Sequence, residues 1–262
     1  MTTSPPYRRV KVMGERATGT NFLAKLVYAN FDVEMLVHMD PKEHPELQPL
    51  RRIPHTESAK GALAERIADY LHNDTMKERG GWKHACLTEK QFETIENSDN
   101  VLFLCITRHP AMWVQSFCRE PFSSFMVDPE SLEAFVQMPW VTRPRDELSK
   151  LLLPGPAFLW RLKLASYLKH AAKRPNVKVI RHEDILLNPA GVLDLIGTLM
   201  PARRETWGMP RGYARDWGED ERGFDQIKNE LPDDPWSTIS DEVEDTLRKQ
   251  IGPKLLEVMR YT

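Results

Sequence analysis

Val101-Leu-Phe-Leu-Cys-Ile106 is a continuous apolar run with no polar alternation, and it constrains the fold more than any other segment. A strand that is apolar on both sides needs cover on both faces, as a central strand of a parallel sheet has. Thr107-Arg-His-Pro110 ends the run. Pro110 suits the first position of a helix, where its missing N–H costs nothing and its fixed φ is already helical. That helix reads on through Met112, Trp113, Ser116 and Phe117.

A second strand–loop–helix unit lies upstream in Val10-Lys-Val-Met-Gly-Glu-Arg-Ala-Thr-Gly-Thr-Asn-Phe-Leu23. The strand breaks at Gly14, a Gly/Thr-rich turn follows, and Phe22, Leu23, Leu26 and Val27 then recur at helical spacing. Backbone N–H groups at such a turn and at a helix N-terminus carry partial positive charge and accept an anion. Arg16 adds a full charge, and the hydroxyls of Thr18 and Thr20 can donate further hydrogen bonds. A Walker loop reads G-x-x-x-x-G-K-[ST]. Here Gly14 and Gly19 have the glycine spacing, but Thr20 and Asn21 replace the Lys-[ST] pair, which weakens a triphosphate-hydrolase reading.

Further along, the spacing predicts helices over Ser58 to Leu71, Ala157 to Lys173, Ala190 to Met200 and Ser240 to Met259. A strand is expected at Val177 to Ile180, and a short strand or strand end at Trp82 to Leu87. Asp32 to Leu50 reads as irregular. Residues 119–156 read as loops and short helices overhanging an acceptor pocket, and Arg203 to Arg222 as a solvated loop or an anion-binding flap. The alternation implies an α/β fold: three layers, with a mostly parallel central sheet flanked by helices. A chain of 262 residues with 41% hydrophobic content suffices for one such domain over 1–262, with a C-terminal helical part over 238–262.

The formal net charge of −2 argues against a nonspecific nucleic-acid binder. Met1 to Pro6 carry no apolar core of signal-peptide length, and no run approaches the roughly 18 apolar residues of a membrane span. The expectation is a soluble, cytoplasmic protein. Cys86, Cys105 and Cys118 lack the spacing of a disulfide scaffold or a zinc site. His38, Asp40 and His44 read as a solvated loop rather than a metal site. Oligomeric state is left open.

Taken in order, the anion loop, the Arg108-to-Ser116 unit and His182-Glu-Asp-Ile-Leu-Leu-Asn-Pro189 resemble the sulfotransferase family, whose donor is 3′-phosphoadenosine 5′-phosphosulfate. The resemblance implies that family's P-loop NTPase-like architecture. Arg16-Ala17-Thr18-Gly19-Thr20-Asn21 is similar to its 5′-phosphosulfate loop, with Arg for the commoner Lys and one extra residue. Arg108, with Ser116 eight residues later, resembles the pair that holds the donor's 3′-phosphate. Phe22 stands where an aromatic stacks on adenine, and His182 where an adenine-contacting Tyr often stands. Trp82-Lys83-His84 resembles the Lys-x-His segment that carries a catalytic His, although here Lys83 and His84 are adjacent.

The resemblance thus implies sulfuryl transfer to a hydroxyl or amine of a small-molecule or glycan acceptor. His84 would act as base, and Lys83 and Arg16 would face the transferring group. No metal, nucleic acid or membrane is called for. Glu15, Glu183 and Asp184 stay open as carboxylate bases. Read as residues alone, Arg16 and Arg108 also suit surface ion pairs, Ser116 and Phe22 packed positions, and His84 a packed histidine. The competing functions are a P-loop kinase, which needs Mg²⁺ and usually a loop Lys, and a non-catalytic nucleotide-binding protein of the same fold.

Overall fold

The computed structural model describes residues 6–37, 57–119, 129–209 and 224–262. Strand β1 (Arg9–Met13) leads through the loop at 14–19 into helix α1 (Thr20–Asn30). Strand β2 (Glu34–Met35) follows, then α2 (Glu57–Asp74), α3 (Met76–Arg79), α4 (Glu89–Thr94), β3 (Val101–Thr107) and α5 (Pro110–Arg119). Next come α6 (Leu132–Gln137), a two-stranded hairpin of β4 (Trp140–Val141) and β5 (Leu152–Leu153), and α7 (Pro156–Ala171). The chain continues through β6 (Val177–Arg181), α8 (His182–Leu187), α9 (Pro189–Gly197), α10 (Phe224–Asn229), α11 (Asp241–Ile251) and α12 (Pro253–Val258).

The central sheet has the order β2-β1-β3-β6 and all its pairs are parallel. All seven residues of β3 are buried, as its apolar run requires. Alternate residues supply two separate cores. Val10, Val12, Leu102, Leu104 and Ile106 face Phe22, Leu23, Leu26 and Val27 of α1, together with Leu193 and Ile196 of α9. Met13, Phe103, Cys105 and Val177 face Phe92 of α4 and Tyr167 of α7 on the other side. Helices therefore cover both faces, and the architecture is a three-layer α/β arrangement. The C-terminal segment packs Val243, Leu247, Ile251 and Tyr261 against Trp113 and Phe117 of α5 and Trp160 of α7.

Because β1, β3 and β6 run in parallel, with Met13 level with Cys105 and Thr107 level with Arg181, the chain leaves all three at the same edge. Ligands of open α/β sheets bind in the crevice at that edge. The loop at 14–19, Arg108 and His182 are all placed there.

Several expectations need correction. Trp82 to Leu87 is a loop, not a strand. Gly80 and Gly81 (φ 70 and 64) turn the backbone left-handed just before it, and its N–H groups bond elsewhere. Trp82 N–H donates to His72 Nδ1 (2.8 Å), Cys86 N–H to the Asp146 carbonyl (2.9 Å) and Leu87 N–H to Ser166 Oγ (3.0 Å). Asp32 to Leu50 is not wholly irregular, since Glu34 and Met35 add a short parallel strand to β1. The last helix is two helices, split where Gly252 adopts φ 88 and Pro253 starts afresh. The segment His38 to His44, residues 120–128 of the acceptor-side region, and 210–222 of the Arg-rich stretch lie outside the described residues. Among the described residues, no helix is long and apolar enough to cross a membrane.

Candidate functional site

Gly14 opens the loop because nothing larger fits. A Cβ there would stand 2.6 Å from the Ile106 carbonyl oxygen and 2.9 Å from Thr18 Oγ1. Ala17 (φ 63) and Gly19 (φ 91) take left-handed conformations on either side of Thr18, and the Ala17 backbone stores roughly 1 kcal/mol of strain. Thr18 N–H and Oγ1 both donate to the Glu15 carbonyl, at 3.3 and 2.6 Å, so neither is left to donate to an anion. Arg16 N–H donates to Glu15 Oε1 (2.7 Å).

Among the described residues, the N–H groups of Ala17, Gly19, Thr20 and Asn21 keep no protein acceptor. Four unpaired donors at a turn and at the start of α1 form an anion cradle, because both their geometry and the helix dipole favour negative charge. Thr20 is buried at the first helical position, and Asn21 is exposed.

The cradle is held from outside. Trp113 Nε1 of α5 donates to the Arg16 carbonyl (2.9 Å), and Arg108 Nη1 donates to the Ala17 carbonyl (3.2 Å). Trp160 Nε1 of α7 in turn fixes the Arg108 carbonyl (3.2 Å). The Arg108 guanidinium is thus brought to the loop. Ser116, half-buried two turns into α5, makes no side-chain hydrogen bond to the loop among the described residues.

The Lys83–His84 segment is bonded to the loop directly. Gly14 N–H donates to the Lys83 carbonyl (2.9 Å), and His84 Nδ1 lies 2.6 Å from the Gly14 carbonyl. A carbonyl can only accept, so Nδ1 carries the proton. Burial, then the cations of Lys83 and Arg16, hold the imidazole well below its ordinary value, which keeps it neutral. Its Nε2 therefore has a lone pair. Lys83 Nζ donates to Asn21 Oδ1 at the start of α1, which puts a cation beside the unpaired N–H groups.

Arg16 differs from expectation. Its guanidinium does not project outward. It lies 4.6 Å over the Trp82 ring and 3.6 Å from Glu15 Oε1, with 8% of the residue exposed. Arg145 covers the same indole at 4.7 Å. Around them is a buried ionic cluster. Lys163 Nζ of α7 contacts Glu15 Oε2 and bonds Asp146 Oδ1 (2.6 Å). Arg145 bonds Glu65 (2.5 Å) and Asp69 (2.8 Å) of α2, and Arg143 also contacts Glu65. Burial works against the charge of Lys163, but Asp146 and Glu15 outweigh it and raise its pKa. Sequence motifs gave no role to Trp82, Arg145, Asp146 or Lys163. One signal was present: Lys163 interrupts the apolar stripe of Leu159, Trp160, Leu164 and Tyr167 on α7.

Phe22 is a core residue, 1% exposed and stacked on Phe224 at 5.7 Å. His182 is equally buried, and burial followed by the charge of Arg108 holds it well below its ordinary value, hence neutral. The three carboxylates considered as bases are already engaged. Glu15 pairs with Arg16 and Lys163. Glu183 accepts from His109 N–H (2.8 Å) and the Tyr261 hydroxyl (3.1 Å). Asp184 pairs with Arg181 (2.8 Å). Of the candidate bases, His84 is a neutral imidazole hydrogen-bonded to the loop backbone at Gly14. The chain matches no protein-family model, and no curated protein matches it significantly.

Proposed function

We propose that the protein is a sulfotransferase that moves a sulfuryl group from 3′-phosphoadenosine 5′-phosphosulfate to a hydroxyl or amine acceptor. The observation that carries this reading is the bonding of the His84 segment to the anion cradle. A neutral imidazole is hydrogen-bonded to Gly14, whose loop carries four unpaired N–H groups, and the adjacent Lys83 ammonium is bonded to Asn21 at the start of α1. A site of that composition can deprotonate a nucleophile while holding an anionic group next to it.

In this mechanism the N–H groups of Ala17, Gly19, Thr20 and Asn21 and the Lys83 ammonium bind the 5′-phosphosulfate. Arg108 faces the 3′-phosphate, where its planar fork suits two parallel bonds to phosphate oxygens. The acceptor oxygen or nitrogen attacks sulfur, and its proton passes to His84 Nε2. The bond from sulfur to the bridging oxygen breaks, and adenosine 3′,5′-bisphosphate leaves with the electron pair. Negative charge grows on that bridge, where fixed donors are most effective because they need no reorganisation. The Gly14 carbonyl accepts from Nδ1, which orients the ring and stabilises the imidazolium as it forms.

Thermal unfolding with adenosine 3′,5′-bisphosphate in EDTA, compared with ATP plus Mg²⁺, tests the reading. A ligand at about 100 times its dissociation constant adds roughly 2.7 kcal/mol, so stabilisation by the bisphosphate alone is the expected result. Stabilisation by ATP and Mg²⁺ alone would identify a kinase-like site instead.

A further inference from the structure

We propose that Lys163 is a positioning residue that makes the loop receptive to anions by neutralising the Glu15 carboxylate built into it. This rests on the proposed donor site, although the argument concerns any anion at the loop. Glu15 directly follows Gly14, and its side chain is buried beneath the cradle at 2% exposure. An uncompensated carboxylate there would repel the phosphosulfate and hold the Arg16 guanidinium, its neighbour at 3.6 Å.

Lys163, 1% exposed, reaches from α7 to contact Glu15 Oε2, and it also bonds Asp146 Oδ1 at 2.6 Å. Two carboxylates, Glu15 and Asp146, and two cations, Arg16 and Lys163, then balance. Trp82 supplies the apolar floor that keeps water from screening these charges, with Arg16 at 4.6 Å and Lys163 Nζ at 5.3 Å from its centroid. Without Lys163, Arg16 alone would face the two buried carboxylates, and the loop would carry a net negative charge beneath its N–H groups.

The groups facing Glu15 are Arg16 from the loop, Lys163 and the Tyr167 phenol from α7, Asp146 from the turn before β5, and the Cys86 thiol. Burial raises the phenol and the thiol, so both stay neutral near pH 7.

The experiment measures affinity for adenosine 3′,5′-bisphosphate and for inorganic pyrophosphate by calorimetry at pH 8, each variant against wild type. Lys163→Met is expected to lose at least tenfold in affinity. Lys163→Met combined with Glu15→Gln is expected to stay within about threefold of wild type. Equal losses in both variants, or no loss in Lys163→Met, would overturn the proposal. Should Lys163→Met fail to fold, Glu15→Gln decides. It keeps the Lys163–Asp146 pair and an acceptor for Arg16 N–H, and a several-fold gain in affinity is expected, whereas unchanged or weaker binding overturns the proposal. Wild type that binds pyrophosphate but not the bisphosphate, with this variant pattern, would refute the donor and support the Lys163 role. Wild type that binds the bisphosphate without the pattern would refute the Lys163 role alone, and binding of neither would refute both.

Discussion

Lys11 lies in the middle of β1 with no exposed surface, and its Nζ donates to the carbonyls of Arg79 (2.7 Å) and Gly81 (2.6 Å). These two bonds tether the turn that launches Trp82-Lys83-His84. Neutral carbonyls do not compensate a buried ammonium fully. Burial, then Lys83 and Arg79, lower the Lys11 pKa from 10.5 to about 7. Between those values the unfolded chain holds a proton that the folded chain has released, so stability rises with pH. Below pH 7 both states are protonated and the penalty is at its full size, roughly 5 kcal/mol at about 1.4 kcal/mol per pH unit.

Integrated from pH 7 to pH 9, linkage gives a gain of about 2 kcal/mol from this one residue. Lys11→Met removes the titration but leaves two carbonyls unpaired, at about 1–3 kcal/mol each. Its stability should therefore be close to wild type at pH 7 and about 2 kcal/mol behind at pH 9. Urea denaturation of both proteins at the two pH values measures the difference, and the thiols of Cys86 and Cys105, raised by burial, are common to both and cancel. Parallel profiles for wild type and variant would refute the reasoning.

Three further outcomes follow from the same structure. Gly14→Ala drives a Cβ into the Ile106 carbonyl at 2.6 Å. Overpacking costs about 1–3 kcal/mol, and because β3 cannot shift alone the upper end is expected, read as a lowered urea midpoint with loss of bisphosphate binding. On the acid side, burial holds His109 at about 3, so the unfolded chain gains a proton below about pH 6.5 that the folded chain refuses. Stability is lost as the pH falls, and His109→Phe should remove about 2 kcal/mol of the loss between pH 7 and pH 5. His84→Ala should lower kcat by about 10²–10⁴ with little change in donor affinity, whereas Arg108→Ala should chiefly weaken donor binding, and equal small effects in both would contradict the assigned roles.

The sheet was legible because its strands announce themselves. An uninterrupted apolar run is buried on both faces in β3, and helical spacing of Phe22, Leu23, Leu26 and Val27 packs α1 beneath it. The turn at 14–19 was legible for a similar reason, since Gly14 and Gly19 mark a backbone that must turn. What sequence could not show was which donors remain available. Thr18 looked like a ligand donor, yet its proton bonds the Glu15 carbonyl. Arg16 looked outward-facing, but an indole from a distant loop and a carboxylate beside it hold it in. Such outcomes depend on contacts between segments far apart in the chain, to which local periodicity is blind. Lys11 was hidden because residue type alone places lysine at the surface, whereas Lys163 showed only as a break in the apolar stripe of α7.

The central claim is tested most directly by calorimetric titration, in EDTA, of adenosine 3′,5′-bisphosphate against adenosine 5′-monophosphate, with wild type and Arg108→Ala side by side. A charge-assisted bond to the extra phosphate is worth about 1.5–3 kcal/mol. Wild type should therefore prefer the bisphosphate by roughly 10- to 150-fold, and Arg108→Ala should erase most of that preference. Equal affinity for the two nucleotides in wild type, or a preference that survives in Arg108→Ala, would contradict the account.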